Sequence, residues 1–92
     1  MTRRLLTTRR HVPLDQSDDY LGAWESVRRA VEAMGGRAWI FRGAAHEDQF
    51  LEFLEWASGS PVPHEDAAVA AARAQLDSFA VPGPTEDWEE AQ

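Results

Sequence analysis

The sequence predicts an α+β fold in which two helices lie on one face of an antiparallel sheet. Three observations lead there. Residues 15–34 carry a single apolar stripe at helical spacing. Three short runs rich in β-branched and aromatic residues flank it, at 3–12, 37–42 and 49–56. The resulting order, β–α–β–β–α, fits in 92 residues, which is one domain.

The first run, Arg3 to Val12, lacks helical periodicity and stops at Pro13, which has no amide hydrogen for a ladder. Alternation places Leu5, Thr7, Arg9 and His11 on one face, and Leu6, Thr8, Arg10 and Val12 on the other. In the first helix Tyr20, Trp24, Val27, Val31 and Met34 follow steps of four and three. Asp15 or Ser17 suits its cap, Asp18 and Asp19 suit its dipole, and Gly35-Gly36 ends it. Residues 37–42 form a short strand with Trp39 and Phe41 on one face.

Residues 46–57 read two ways. As a strand, Phe50, Glu52, Leu54 and Trp56 share a face. As a helix, Phe50, Phe53, Leu54 and Ala57 form a stripe. The density of aromatics and the need of 37–42 for a pairing partner favour the strand. The helical alternative would give an all-α, three-helix adaptor. A second helix is expected over 64–80, with Val69, Ala72, Leu76 and Phe79 on its apolar side. Pro82-Gly83-Pro84 and the charged residues beyond make poor strand material. The domain is therefore expected to span 1–81, with 82–92 an acidic tail and a fourth strand doubtful.

The net charge of −7 is unevenly distributed: +3 over residues 1–46 and −10 over residues 47–92. Genome composition accounts for a chain with nine Arg and no Lys, and a dipolar protomer that pairs with its own copy is the functional reading. Such acidity argues against nucleic-acid binding. The absence of Cys removes disulfides, thiolate nucleophiles and Cys-ligated metals. No apolar run reaches the roughly 18–20 residues that span a bilayer, and no signal-peptide core follows the N-terminal arginines. The expected setting is cytoplasmic, with no membrane partner. Nucleotide-binding, serine-hydrolase and zinc-protease motifs are missing.

His46 and His64 each open a His-Glu-Asp tripeptide without a second His at metal-binding spacing. Both are read as loop residues preceding acids at the start of an element, and no metal is expected. Glu52, between Phe50 and Leu54, needs an Arg partner if buried, with Arg9, Arg10, Arg37 and Arg42 available; lining a pocket is the other reading. His11, at the end of the first strand, is the candidate base. Trp24, Trp39 and Phe41 are core or interface aromatics first, and candidate walls of an apolar pocket with His11 and Glu52 second.

The element order is most of a ferredoxin-like split βαβ arrangement. With the Tyr20–Met34 helix and the Phe50–Trp56 run, the chain resembles the dimeric α/β-barrel superfamily, which includes antibiotic-biosynthesis monooxygenase-like and stress-responsive barrel proteins. The resemblance spans roughly residues 3–80 and is one of pattern. It implies two sheets facing each other in a homodimer, and a pocket in each protomer. It further implies cofactor-free oxygenase or isomerase chemistry on a small aromatic or quinone-like molecule, with His11 as base. The alternative is a non-catalytic self-assembly or protein-interaction module using the same aromatic face.

Overall fold

The structure, a computed structural model, describes residues 2–92. Strand β1 (Arg3–His11) passes through a 3-10 turn at Leu14–Gln16 into helix α1 (Ser17–Ala33). Strands β2 (Arg37–Arg42) and β3 (Gln49–Ala57) form a hairpin, followed by a second 3-10 turn at Pro63–Glu65, helix α2 (Ala67–Leu76) and strand β4 (Pro82–Glu89). The sheet order is β2-β3-β1-β4, with every neighbouring pair antiparallel. This is the ferredoxin-like arrangement, complete with its fourth strand.

The strand reading of 49–57 is the one the structure adopts. Tertiary pairing decides what local pattern leaves open: β3 lies between β1 and β2, with Arg10 opposite Phe50 and Trp39 opposite Phe53. Phe50, Glu52, Leu54 and Trp56 face the helices and are buried. Against them pack Leu6 of β1 and Val12 just beyond it, Tyr20, Trp24, Val27 and Val31 of α1, and Val69, Ala72 and Leu76 of α2. Tyr20 meets Phe50 with ring centroids 4.9 Å apart.

The helix ends differ from expectation in instructive ways. Neither Asp15 nor Ser17 caps α1; the preceding 3-10 turn runs straight into it, and the Ser17 hydroxyl donates to the Leu14 carbonyl at 2.9 Å. Gly35 ends α1 at φ 86°, with its amide donating to Glu32 O. Helix α2 is shorter than 64–80, because Asp66 accepts the amides of Ala68 and Val69 and so fixes its first turn.

The main correction concerns residues 82–92. They are not a free tail: Pro82–Glu89 pairs with β1 from Arg10↔Pro82 to Arg4↔Glu89. The prolines are tolerated because β4 is an edge strand, with only one neighbour to satisfy. The register shifts between Thr8 and Arg10, and there Gly83 closes on β1 so tightly that a Cβ would lie 2.9 Å from the Arg9 carbonyl oxygen. Charge supplies what propensity lacks. Arg4 pairs with Asp87 at 2.8 Å and Arg3 with Glu90 at 3.1 Å. Part of the opposition between the basic first half and the acidic second half is therefore met within one chain.

Beneath the helices lies one buried ion pair. Arg10 Nε donates to Glu52 Oε2 at 2.7 Å, and the Tyr20 hydroxyl donates to the same oxygen at 2.5 Å. The other side of the guanidinium reaches Asp77 Oδ1 at 2.9 Å and the Ala80 carbonyl at 2.7 Å. Arg10 thus ties β1 to β3 and to the segment between α2 and β4. Burial and the neighbouring Glu52 carboxylate hold the Tyr20 hydroxyl far above the ordinary tyrosine range, so it remains a donor.

Replacing Arg10 by Met leaves Glu52 buried without its cation and is expected to cost about 3–5 kcal/mol in urea unfolding; adding Glu52→Leu should recover most of that loss. A single-variant cost under about 1 kcal/mol would show the pair to be incidental. A second expectation concerns pH. Burial, with Arg73 and Arg4 assisting against Glu65 and Asp87, pushes the His64 imidazole below its ordinary pKa beside the Trp56 ring. The unfolded chain then takes up this proton at a higher pH than the folded one. Stability from this group is full above about pH 6.5 and falls as the solution is acidified below it. His64→Gln should flatten the pH 7-to-5 stability profile, and an unchanged slope would remove His64 as its source.

Candidate functional site

Alternation along the strands splits the candidate residues between two faces. Glu52 projects toward the helices and Trp24 of α1 packs there, both buried. His11, Trp39 and Phe41 project from the other face, which no helix covers. The pocket expected to join Trp24 to His11, Trp39 and Phe41 is therefore not formed: the sheet itself stands between them. Glu52 takes the structural role, paired with Arg10, and leaves no polar edge for a ligand on the His11 side.

The uncovered face is apolar. Trp39 is 43% exposed, Phe41 56% and Trp88 52%. Cross-strand pairing sets Trp39 beside Phe53 and Phe41 beside Leu51 on the β2–β3 side, and Leu5 beside Trp88 on the β1–β4 side. Phe41 and Phe53 meet edge to face at 5.5 Å. Trp88, expected in a tail, is anchored here by its indole N–H donating to the Thr7 hydroxyl at 3.3 Å. A patch of this kind marks a surface that meets something else.

At one end of the sheet, where β1 ends and the β2–β3 hairpin turns, lies an open cleft of about 420 Å³ that takes residues from both faces. It is lined by Arg9, Arg10, His11, Phe41, Arg42, Gly43, Gln49, Phe50 and Leu51. Two backbone bonds shape it: Gly43 N to Gln49 O, which closes the hairpin, and Val12 N to Asp48 O, which ties the loop to β1, both at 2.8 Å. Thus His11 and Phe41 do share one cavity, although Trp24, Trp39 and Glu52 do not line it. His11 Nδ1 stands 3.9 Å from Asp48 Oδ2. That separation is longer than a hydrogen bond, so the carboxylate is a neighbouring charge and does not fix the ring. The Arg42 guanidinium lies 5.1 Å from the Phe50 ring centroid. Cation, flat apolar wall and imidazole in one cleft can hold an aromatic ring and accept a proton from its hydroxyl.

The sequence does not single out Arg42 and Asp48 as cleft residues, because both become site residues only through the turn that brings the hairpin against β1. Among the described residues no group of three or more His, Asp or Glu side chains converges as a metal site would require. No helix among the described residues is long and apolar enough to cross a membrane.

Comparison with protein families and with curated proteins finds no match. Solved structures do match over the whole chain. A conserved protein of unknown function from Bacteroides thetaiotaomicron superposes with a TM-score of 0.76 at 14% identity, over 97% of this chain and 98% of that one. A candidate antibiotic biosynthesis monooxygenase from Nitrosomonas europaea gives 0.72 at 12% identity, over 98% and 89%. A mutant of the cofactor-independent oxygenase SnoaB from Streptomyces nogalater gives 0.69 at 8% identity, over 98% and 92%. At such identities the likeness is one of fold, and it extends through β4. The chain thus has the fold of the antibiotic biosynthesis monooxygenase-like proteins, in agreement with the resemblance its sequence pattern carries.

Proposed function

We propose that the protein is a homodimer, joined sheet face to sheet face, that binds a small aromatic molecule bearing an acidic hydroxyl in the cleft beside His11. The observation that carries this reading is the continuity of the exposed Trp39–Phe41–Phe53 face with a cleft that contains an imidazole and a cation. A second copy is the occupant that charge favours. On the open face Arg37 of β2 has no carboxylate within ion-pair distance among the described residues, and neither has Glu86 of β4 a cation. The order β2-β3-β1-β4 sets these two residues at opposite edges. A two-fold axis parallel to the strands would lay one copy's Arg37 edge over the other's Glu86 edge.

Covering the face also walls in the cleft, where His11 takes the hydroxyl proton and leaves an electron-rich ring that needs no cofactor of the protein's own. That one protein of this fold is a cofactor-independent oxygenase supports this chemistry. The competing reading is a purely associative module. It is favoured by the 69% exposure of the His11 side chain, unusually high for a catalytic base.

Two measurements test these readings. Phe53→Glu places a charge in the middle of the joined faces and should convert a dimer to a monomer in analytical ultracentrifugation; a monomeric wild type would refute the assembly. Dihydroxynaphthalenes should bind with quenching of tryptophan fluorescence, and His11→Ala should lower any turnover by about 10²-fold or more. Dimerisation without ligand binding would decide for the associative module.

A further inference from the structure

Helix α2 and the β1–β4 edge flank a second, open cavity of about 250 Å³ on the helix-covered side of the sheet, which shares Arg10 with the His11 cleft. Two guanidiniums line it. Arg10 is committed to Glu52, Asp77 and the Ala80 carbonyl. Arg73 is not committed: it is half-buried, no carboxylate lies within ion-pair distance of it among the described residues, and its hydrogen bond goes to the Thr8 hydroxyl at 3.4 Å. That is a long contact to a neutral acceptor. A cation drawn out of water without a counter-ion is costly. Burial indeed pushes the Arg73 pKa down, with Glu52 opposing and the neighbouring Arg10 adding to the push. Thr8 and Thr85, whose hydroxyls lie 3.3 Å apart, supply two further polar groups at this end. Apart from Asp77, the rest of the wall is small and apolar: Ala70, Ala74 and Pro82.

We propose that this cavity is a binding site for a small aromatic carboxylate, whose carboxyl group pairs with Arg73 and whose flat body lies against Ala70, Ala74 and Pro82. A guanidinium presents two parallel N–H donors that match a carboxylate. The Thr85 hydroxyl is placed to donate to the same group from the edge strand. Asp77, which also lines the cavity, works against an anion, but Arg10 engages its Oδ1 and so offsets part of its field. The site lies on the side of the sheet away from the proposed dimer face, and Arg10 separates it from the cleft at His11.

Calorimetric titration with sodium benzoate tests it, with benzyl alcohol and inorganic phosphate as companion probes. Wild type should bind benzoate at least tenfold more tightly than either. Arg73→Gln should weaken benzoate at least tenfold, Arg73→Lys less, and Asp77→Asn should tighten it. Thr85→Val, on the exposed edge strand, should weaken it severalfold without altering the melting temperature, which keeps the test informative should Arg73→Gln unfold. Benzoate binding should survive His11→Ala. Failure of benzoate to bind, equal binding of benzyl alcohol, tighter binding of phosphate, or benzoate affinity lost with His11 and retained without Arg73 would each overturn the proposal.

Discussion

A single buried guanidinium holds this fold in register. Arg10 stands on the helix-facing side of β1 beside the buried Leu6 and Thr8, so its charge is withdrawn from water as soon as the helices dock. The cost is met only if Glu52 of β3 is opposite, Tyr20 of α1 donates from above, and the Asp77–Ala80 segment closes from the side. Each of these groups belongs to a different part of the chain. A one-residue slip of β1 against β3 would turn Arg10 to the open face and leave Glu52 unpaired. The pair therefore selects one alignment among those that apolar pattern alone would permit, whatever its net contribution to stability.

Once β1 is fixed, the division of labour between the two faces follows. One face is consumed by α1 and α2. The other keeps its aromatics in the open, and the cleft at its end inherits whatever β1 and the hairpin present there: His11, Phe41 and Arg42. Strand β4 completes the sheet by electrostatic as much as by steric fit, since the arginines at the start of β1 meet the acids at the end of β4. The polarity of the sequence is thus in part a folding signal, before any question of partners.

How far the sequence can be read depends on whether a signal is local. The stripe from Tyr20 to Met34 and the glycines after it define α1 by themselves, and the amide-accepting Asp66 is visible in its position before an alanine-rich run. The 49–57 segment is ambiguous because its helical and extended patterns are equally apolar, and only pairing with two strands distinguishes them. The last strand escapes a reading of the sequence because Pro82, Gly83 and Pro84 oppose it locally. Its compensating partners are some eighty residues away in β1, as the 83-residue separation of Arg4 and Asp87 illustrates. Among site residues, Glu52 is legible as a buried acid in need of an arginine. The separation of Trp24 from His11 is not, since nothing in a linear pattern says which face of a strand a helix will cover. Arg73, on an otherwise alanine-rich helix, becomes conspicuous only through its isolation in space.

The placement of β4 also bears on how the chain acquires its shape. Strand β1 is interior to the sheet, yet one of its two neighbours is the last of the four strands in chain order; Thr8 and Thr85 are separated by 77 positions. A nascent chain can form α1 and the β2–β3 hairpin early, but β1 keeps a bare ladder edge until β4 has been synthesised. During that interval the growing polypeptide presents an unpaired strand, the kind of edge on which neighbouring chains aggregate. The four arginines along β1 lend that edge a repulsive positive charge until the acidic strand arrives to neutralise it.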